Sequence, residues 1–485
     1  VSAAPATAGP RPGRGLRREL RFWEAIALSI GIMAPTAAMA LNGVVPAGLV
    51  GRAVPLVFLI ATIGVLFVAY AFVRLSRYFA HAGSVYAFAG VTLGPRAGFF
   101  SGWALLGTYL AFTTASTAEI GLFFGNFLDG VGIWKHPSWP VIAFLAGIVI
   151  WLVAYGDVRV ITRLLLSLEG ISVSLITILV VVIFVKVIGG GAPGNQSFTF
   201  SVFSVPSGVS LSTVAFATVF AFLSFGGFEG AASLGEETNE PRINIPKAIA
   251  AAVLAAGIFY VICIWAQTLG FGTDAKGTAA FAGSSSPLGD LSHSYISSSW
   301  ADLINLGAAV SAFASALGTS VGASRMLFAF GRDGFGPPAL GTTSARTGAP
   351  AVGLAVVMVI ALVAIAAMRA NGTNSVNAFF YPGTIGVLSM IVAYFMTNIG
   401  AIRFLHLGRR VPMWEVVIPL VALVFLGYVF YKQVYPVPAY PYDVFPYVVG
   451  IWLAVALVVI LAFPRLAHRI GASLSREAGL EEAPA

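Results

Sequence analysis

Residues 221–247 read AFLSFGGFEGAASLGEETNEPRINIPK, and the fold follows from how this stretch begins, breaks and ends. It begins as an apolar, aromatic helix, meets Gly226-Gly227 in its middle, and places Glu229 while still inside the hydrophobic run. It leaves that run through Glu236-Glu237-Thr238-Asn239-Glu240-Pro241-Arg242 and restarts at Pro246. Glycine costs a helix roughly 1 kcal/mol against alanine, so the pair marks a weak point. Backbone groups opened there are tolerated in hydrocarbon only around a cavity or ligand. A close helix crossing at small residues is the structural alternative.

Composition places the chain in a membrane. Of 485 residues, 58% are hydrophobic and 9% charged, against roughly 25% charged in a soluble domain. Runs long enough to span a bilayer recur near 25–48, 55–80, 97–126, 139–156, 163–188, 211–234, 247–271, 302–329, 350–369, 377–402, 413–432 and 444–464. The fold class is an all-α polytopic membrane protein with about twelve transmembrane helices.

A net charge of +8 invites nucleic acid as a partner, but the charges are sorted by loop. With the N-terminus inside, only Arg52, Lys135, Lys186, Lys276, Arg369 and Lys432 fall on the outer side, and the remaining basic residues fall inside. That bias obeys the positive-inside rule, puts both termini in the cytoplasm and leaves membrane lipid, not nucleic acid, as the large partner. Residues 1–15 read as a disordered cytoplasmic N-terminus and Leu16–Trp23 as a short interfacial helix, with no cleavable signal peptide expected. Cys263 is the single cysteine and no histidine pair has ligand spacing, so neither a disulfide, a metal site nor a cofactor is expected. Nucleotide-binding loops, HExxH and GxSxG are absent, which leaves no support for an enzyme. Arginine used in preference to lysine points to a GC-rich bacterium and its cytoplasmic membrane.

The first span repeats the theme of the sixth. Gly31 and Pro35 lie within about a turn of each other in EAIALSIGIMAPTAAMALNG, and the missing proline N–H predicts a break around Ile32–Thr36. Interrupted helices at matching positions five spans apart point to a transporter site at the midplane and to an inverted second half. The loop after span 2, His81–Gly98, is too polar to cross and is read as lying on the inner surface. Segments 189–210 and 272–300 are read as flexible outer loops. Span 3 is hydroxyl-rich from Thr108 to Ser116, and Ser311, Ser315, Thr319 and Gly322 form a stripe of small residues on span 8.

Glu119, Glu169 and Glu229 lie inside spans without an adjacent basic residue, and each needs a partner, a wet cavity or a bound proton. Glu229 is the strongest functional candidate. Glu169 has a structural alternative in Arg325, and Glu119 sits far enough outward to be simply solvated.

Span 6 with its exit, SFGGFEGAASLGEETNEPRINIPKAI, resembles the corresponding region of the amino acid–polyamine–organocation superfamily of permeases. SRMLFAFGRDGFGP after span 8, LRFWEAIALSIGIMAP and Gly102-Trp103 are similar to other segments of that family, and the likeness covers roughly residues 16–465. It implies the leucine-transporter-type 5+5 inverted repeat, with one five-helix repeat in 16–210, its inverted partner in 211–410, two further helices in 411–465 and a cytoplasmic tail in 466–485. It implies alternating access to an amino acid or organic amine held between the breaks. In the family, amides of the span 1 break hold a substrate carboxylate; here they belong to Ile32, Ala34, Pro35, Thr36 and Ala37, and Pro35 has no N–H to give. Ser224, Phe225, Gly226, Gly227 and Phe228 match the stretch whose carbonyls receive an ammonium, with the two phenylalanines as gates. Ser315 and Thr319 match cavity-facing positions of span 8. Glu229 matches an acid proposed to sense protons, Glu169 joins it as a coupling candidate, and Ser172 stands where some members carry a lysine. Proton, sodium ion and exchange modes stay open. The expected function is secondary-active transport of amino acids or related amines; the alternatives are a polyamine or amine exchanger and a substrate sensor on the transporter fold.

Overall fold

The structure is a computed structural model that describes residues 22–79, 85–156, 158–234, 238–344 and 347–477. The N-terminal segment 1–15, most of the interfacial helix Leu16–Trp23, His81, Glu236-Glu237, Arg346 and residues 478–485 lie outside that description.

The described chain is built of helices joined by loops. Its α-helices are α1 (Phe22–Met33), α2 (Pro35–Leu41), α3 (Val44–Val50), α4 (Val54–Tyr78), α5 (Val85–Leu93), α6 (Pro95–Gly130), α7 (Trp139–Tyr155), α8 (Val158–Ile188) and α9 (Leu211–Leu223). They continue as α10 (Pro241–Phe271), α11 (Ala275–Gly283), α12 (Pro287–Tyr295), α13 (Ser298–Arg332), α14 (Ala351–Ala370), α15 (Ser375–Ala401), α16 (Val417–Lys432), α17 (Phe445–Ala462) and α18 (Pro464–Glu477). Among the described residues, 8 helical segments are long and apolar enough to cross a membrane, and Ser29–Leu41, Trp139–Tyr155 and Leu211–Leu223 are shorter apolar helices. The hydroxyl-rich α6, 36 residues long, completes the set read from the sequence.

Pairing between helices sets where the centre lies. α4 packs on α10, α6 on α13, α7 on α14, and α1 on the 3₁₀ turn Phe228–Leu234 that follows α9. In each case a helix of the first half meets the one five spans later. α6 also packs along α15, so it forms one wall of the molecular centre. Glycines permit close approaches between neighbouring helices: a Cβ on Gly98 of α6 would meet the Cα of Gly90 in α5, and one on Gly353 of α14 would meet the Ser324 carbonyl in α13.

Helices after α15 are fastened by polar contacts at the bundle's flank. Arg74 and Tyr70 of α4 both reach Oε2 of Glu415, just before α16. Trp103 Nε1 donates to the Trp452 carbonyl at 2.8 Å and Trp452 Nε1 donates to the Trp103 carbonyl at 2.9 Å, with the indoles stacked 4.6 Å apart.

Two expectations are corrected. The segment read as a surface loop after span 2 contains α5, whose Val85, Ala87 and Phe88 are buried against α6 and α15 because its apolar residues outweigh its glycines. Residues 272–300 are not a flexible loop; Asp274 caps α11 by accepting from the Gly277 N–H, and α12 buries Leu288 and Leu291. Beyond the last span, the chain forms α18, packed on α6 and α5. Arg469 of α18 donates to the Asp333 carbonyl, and Arg332 donates to Ser473 Oγ at 3.0 Å, so the tail holds the Gly-Arg-Asp-Gly turn after α13.

Gly471 of α18 faces the Pro95 carbonyl so closely that no Cβ fits. Gly471→Ala is expected to lift the tail helix at a cost of about 1–3 kcal/mol. Thermal unfolding and protease accessibility of the tail check this; wild-type values for both would contradict it.

Candidate functional site

The break in the first span falls at Ala34, which adopts φ 47 and ψ 60, a left-handed conformation costing about 1–2 kcal/mol for a residue with a Cβ. Pro35 then opens α2 at its first position, where a missing N–H costs nothing within the helix. The break in the sixth span runs through Ser224–Gly227 to the 3₁₀ turn, with Gly227 at φ 99. That value favours glycine, and a Cβ there would strike Ile32 of the facing helix.

The two breaks touch and are tied on both sides. Ala231 N–H donates to Ser29 Oγ at 2.8 Å, and Asn42 Nδ2 donates to Ser224 Oγ at 2.7 Å, both buried. Between these ties lies a cavity of about 50 Å³, bounded by the two breaks, α6, α13 and α15. A few waters or part of a small ligand fit such a volume.

Of the predicted residues, Ile32, Ala34, Ala37, Gly226, Gly227, Glu229, Ser315 and Thr319 line this cavity. Ser315 accepts from the Ser116 hydroxyl and Thr319 from the Thr113 hydroxyl, each at 3.0 Å, so α6 and α13 are joined along its wall. The remaining predicted residues stand behind it. Thr36 N–H donates to Glu169 Oε1 at 2.9 Å and Ala37 N–H donates to Ser311 Oγ at 3.2 Å. Ser172 bonds the Leu168 carbonyl one turn back and packs on Gly307.

Phe225 and Phe228, expected as gates, are turned away from the cavity and fully buried. Phe225 lies edge-on to Tyr260, and Phe228 lies between Phe72 and Tyr394. The turn at Gly226-Gly227 resets the angular phase, so helical spacing no longer says which side chain faces inward.

The three carboxylates are placed differently from the sequence reading. Glu169 does not pair with Arg325, which is exposed; it accepts the amide that the span 1 break releases. Glu229 accepts from the Tyr394 hydroxyl at 2.6 Å. Glu119 is 2% exposed, so it is not solvated at an interface; it lines the cavity with Oε1 accepting from no described residue. Sequence reasoning also passed over Asn42, Phe379 and Met390 as lining residues, while Tyr109 and Phe112 belong to the span 3 stretch read as able to line a cavity. The spacing of Tyr109, Phe112, Ser116 and Glu119, three or four apart on α6, was the available signal.

A bundle of apolar helices with a largely apolar, acid-bearing cavity between two broken ones is the arrangement of a membrane permease. The family profile described as "Amino acid permease" matches residues 24–465, and the chain belongs to that family of transporters. It is 26% identical over 363 residues to a low-affinity putrescine importer of Escherichia coli (strain K12), covering 72% of this chain and 75% of the relative. It is 29% identical over 350 residues to a branched-chain amino acid permease of Bacillus subtilis (strain 168), covering 69% and 71%. It is 30% identical over 263 residues to cationic amino acid transporter 4 of Mus musculus, covering 51% and 40%.

Gly227→Ala is expected to lose on the order of 2 kcal/mol or more, combining left-handed strain with the clash at Ile32. Chemical or thermal unfolding measures it. Wild-type stability would mean that the break tolerates a side chain.

Proposed function

We propose that this permease moves amino acids or related organic amines across the cytoplasmic membrane of a bacterium by alternating access, with both termini in the cytoplasm. The observation that carries the reading is the cavity between the breaks of spans 1 and 6, lined by Gly226, Gly227, Ser315, Thr319 and Glu229. Residues 16–210 and 211–410 act as the two inverted repeats, a reading supported by the pairing of α4 with α10, α6 with α13 and α7 with α14. Residues 411–465 add two helices at the flank. Secondary-active coupling, to protons or by exchange, is assigned to Glu229, a buried acid in contact with both the cavity and Tyr394. Protonation of Glu229 removes a charge the cavity otherwise has to balance, which links proton and substrate occupancy.

The test is counterflow in proteoliposomes loaded with unlabelled amino acids and amines. Accumulation of labelled substrate is expected; binding without any accumulation would indicate a sensor. Glu229→Gln is expected to fold, to slow uptake by about tenfold or more and to flatten its dependence on external pH. A wild-type pH profile in that variant would remove Glu229 from the coupling role.

A further inference from the structure

We infer that the substrate of this cavity is an organic cation without a carboxylate, whose ammonium seats on Glu119. The inference rests on the transport reading above and narrows its substrate class.

Glu119 is the cavity's uncommitted acid. Its side chain is almost fully buried, and Oε1 accepts from no described residue. Glu229 on the opposite wall is already engaged by Tyr394, and Glu169 by Thr36. Among the described residues, no arginine, lysine or histidine lines the cavity, so no basic side chain there balances Glu119. A buried anion without a counter-charge is costly, and an ammonium within hydrogen-bond distance supplies both the charge and the donors.

A substrate carboxylate finds the opposite situation, because most of the amides at the breaks are taken. In span 1, Ala34 N–H donates to the Gly31 carbonyl at 3.3 Å, and Pro35 has no N–H. Thr36 N–H is held by Glu169, Ala37 N–H by Ser311, and Ala38 N–H by the Ala34 carbonyl. In span 6, the amides of Gly226, Phe228 and Gly230 are bonded within the turn, and that of Ala231 goes to Ser29. Glu169 therefore holds the amide at the span 1 break that a substrate anion would otherwise use. An α-amino acid would bring a further negative charge beside Glu119 and Glu229, with few free amides at the breaks to receive it.

The experiment compares matched pairs on the purified full chain by thermal stabilisation: putrescine with ornithine, cadaverine with lysine, and isoamylamine with leucine. Each amine is expected to stabilise at concentrations about tenfold or more below its amino acid. Glu119→Gln is expected to raise the concentration of amine needed by about tenfold or more, while Glu119→Asp, which keeps the charge, loses less. Glu169→Ala, which releases the Thr36 amide, is expected to narrow the gap between lysine and cadaverine.

Stronger stabilisation by the amino acid than by its amine would overturn the inference, as would undiminished amine binding in Glu119→Gln or an unchanged gap in Glu169→Ala. The wild-type pairs need no substitution, so a variant that fails to fold leaves the comparison decisive. Counterflow of amino acids without amines would sink this inference and leave the transport reading standing. Absence of both stabilisation and counterflow for every probe would sink the transport reading itself.

Discussion

An amide released from a helix in hydrocarbon has to find an acceptor, and the centre of this molecule is arranged around that requirement. When the first span turns left-handed at Ala34, Thr36 and Ala37 lose their helical partners; Glu169 on α8 and Ser311 on α13 replace them. At the far end of α2, the Met39 carbonyl accepts from Gln267 on α10 at 3.0 Å. Three separate helices thus hold a helix of 7 residues in place. Removing any one of these acceptors or donors would leave a buried polar group unpaired, which costs more than the bond itself contributes.

The sequence was most readable where chain chemistry is local. Proline at 35, glycines at 226 and 227, and the length of each apolar run act within a few residues, so both breaks and the helices around them could be located from the chain alone. Side-chain direction past a break was not readable, as Phe225 and Phe228 show, because it depends on dihedrals that no periodicity reports. Depth was also misleading for Glu119. Position along a span says how far a residue lies from the span's end, but its burial is decided by the neighbouring helices, here α13 and the broken first span. Ser172 shows the same limit, since its hydroxyl satisfies its own helix and it packs on Gly307. Residues 272–300 misled in another way: serine and glycine are frequent there, yet the caps at Asp274 and Ser297 make the segment helical.

Membership of the amino acid permease family and the central cavity lead to the same class by independent routes. The relatives include a putrescine importer and a branched-chain amino acid permease, and the presence of a carboxylate is one of the differences between those substrates. In this chain the groups bearing on that difference are few: the proline at 35, the Glu169 carboxylate under the break, and Glu119 in the wall of α6.

The two hydrogen bonds that join the broken spans, Ser29 with Ala231 and Asn42 with Ser224, are similar in kind and lie on either side of the cavity. Each is neutral and buried, with a net value of about 1 kcal/mol. As hydrogen bonds the two ties therefore weigh about equally. The two hydrogen bonds by themselves thus give the seam no preference for one direction, and any such preference lies in the packing around them.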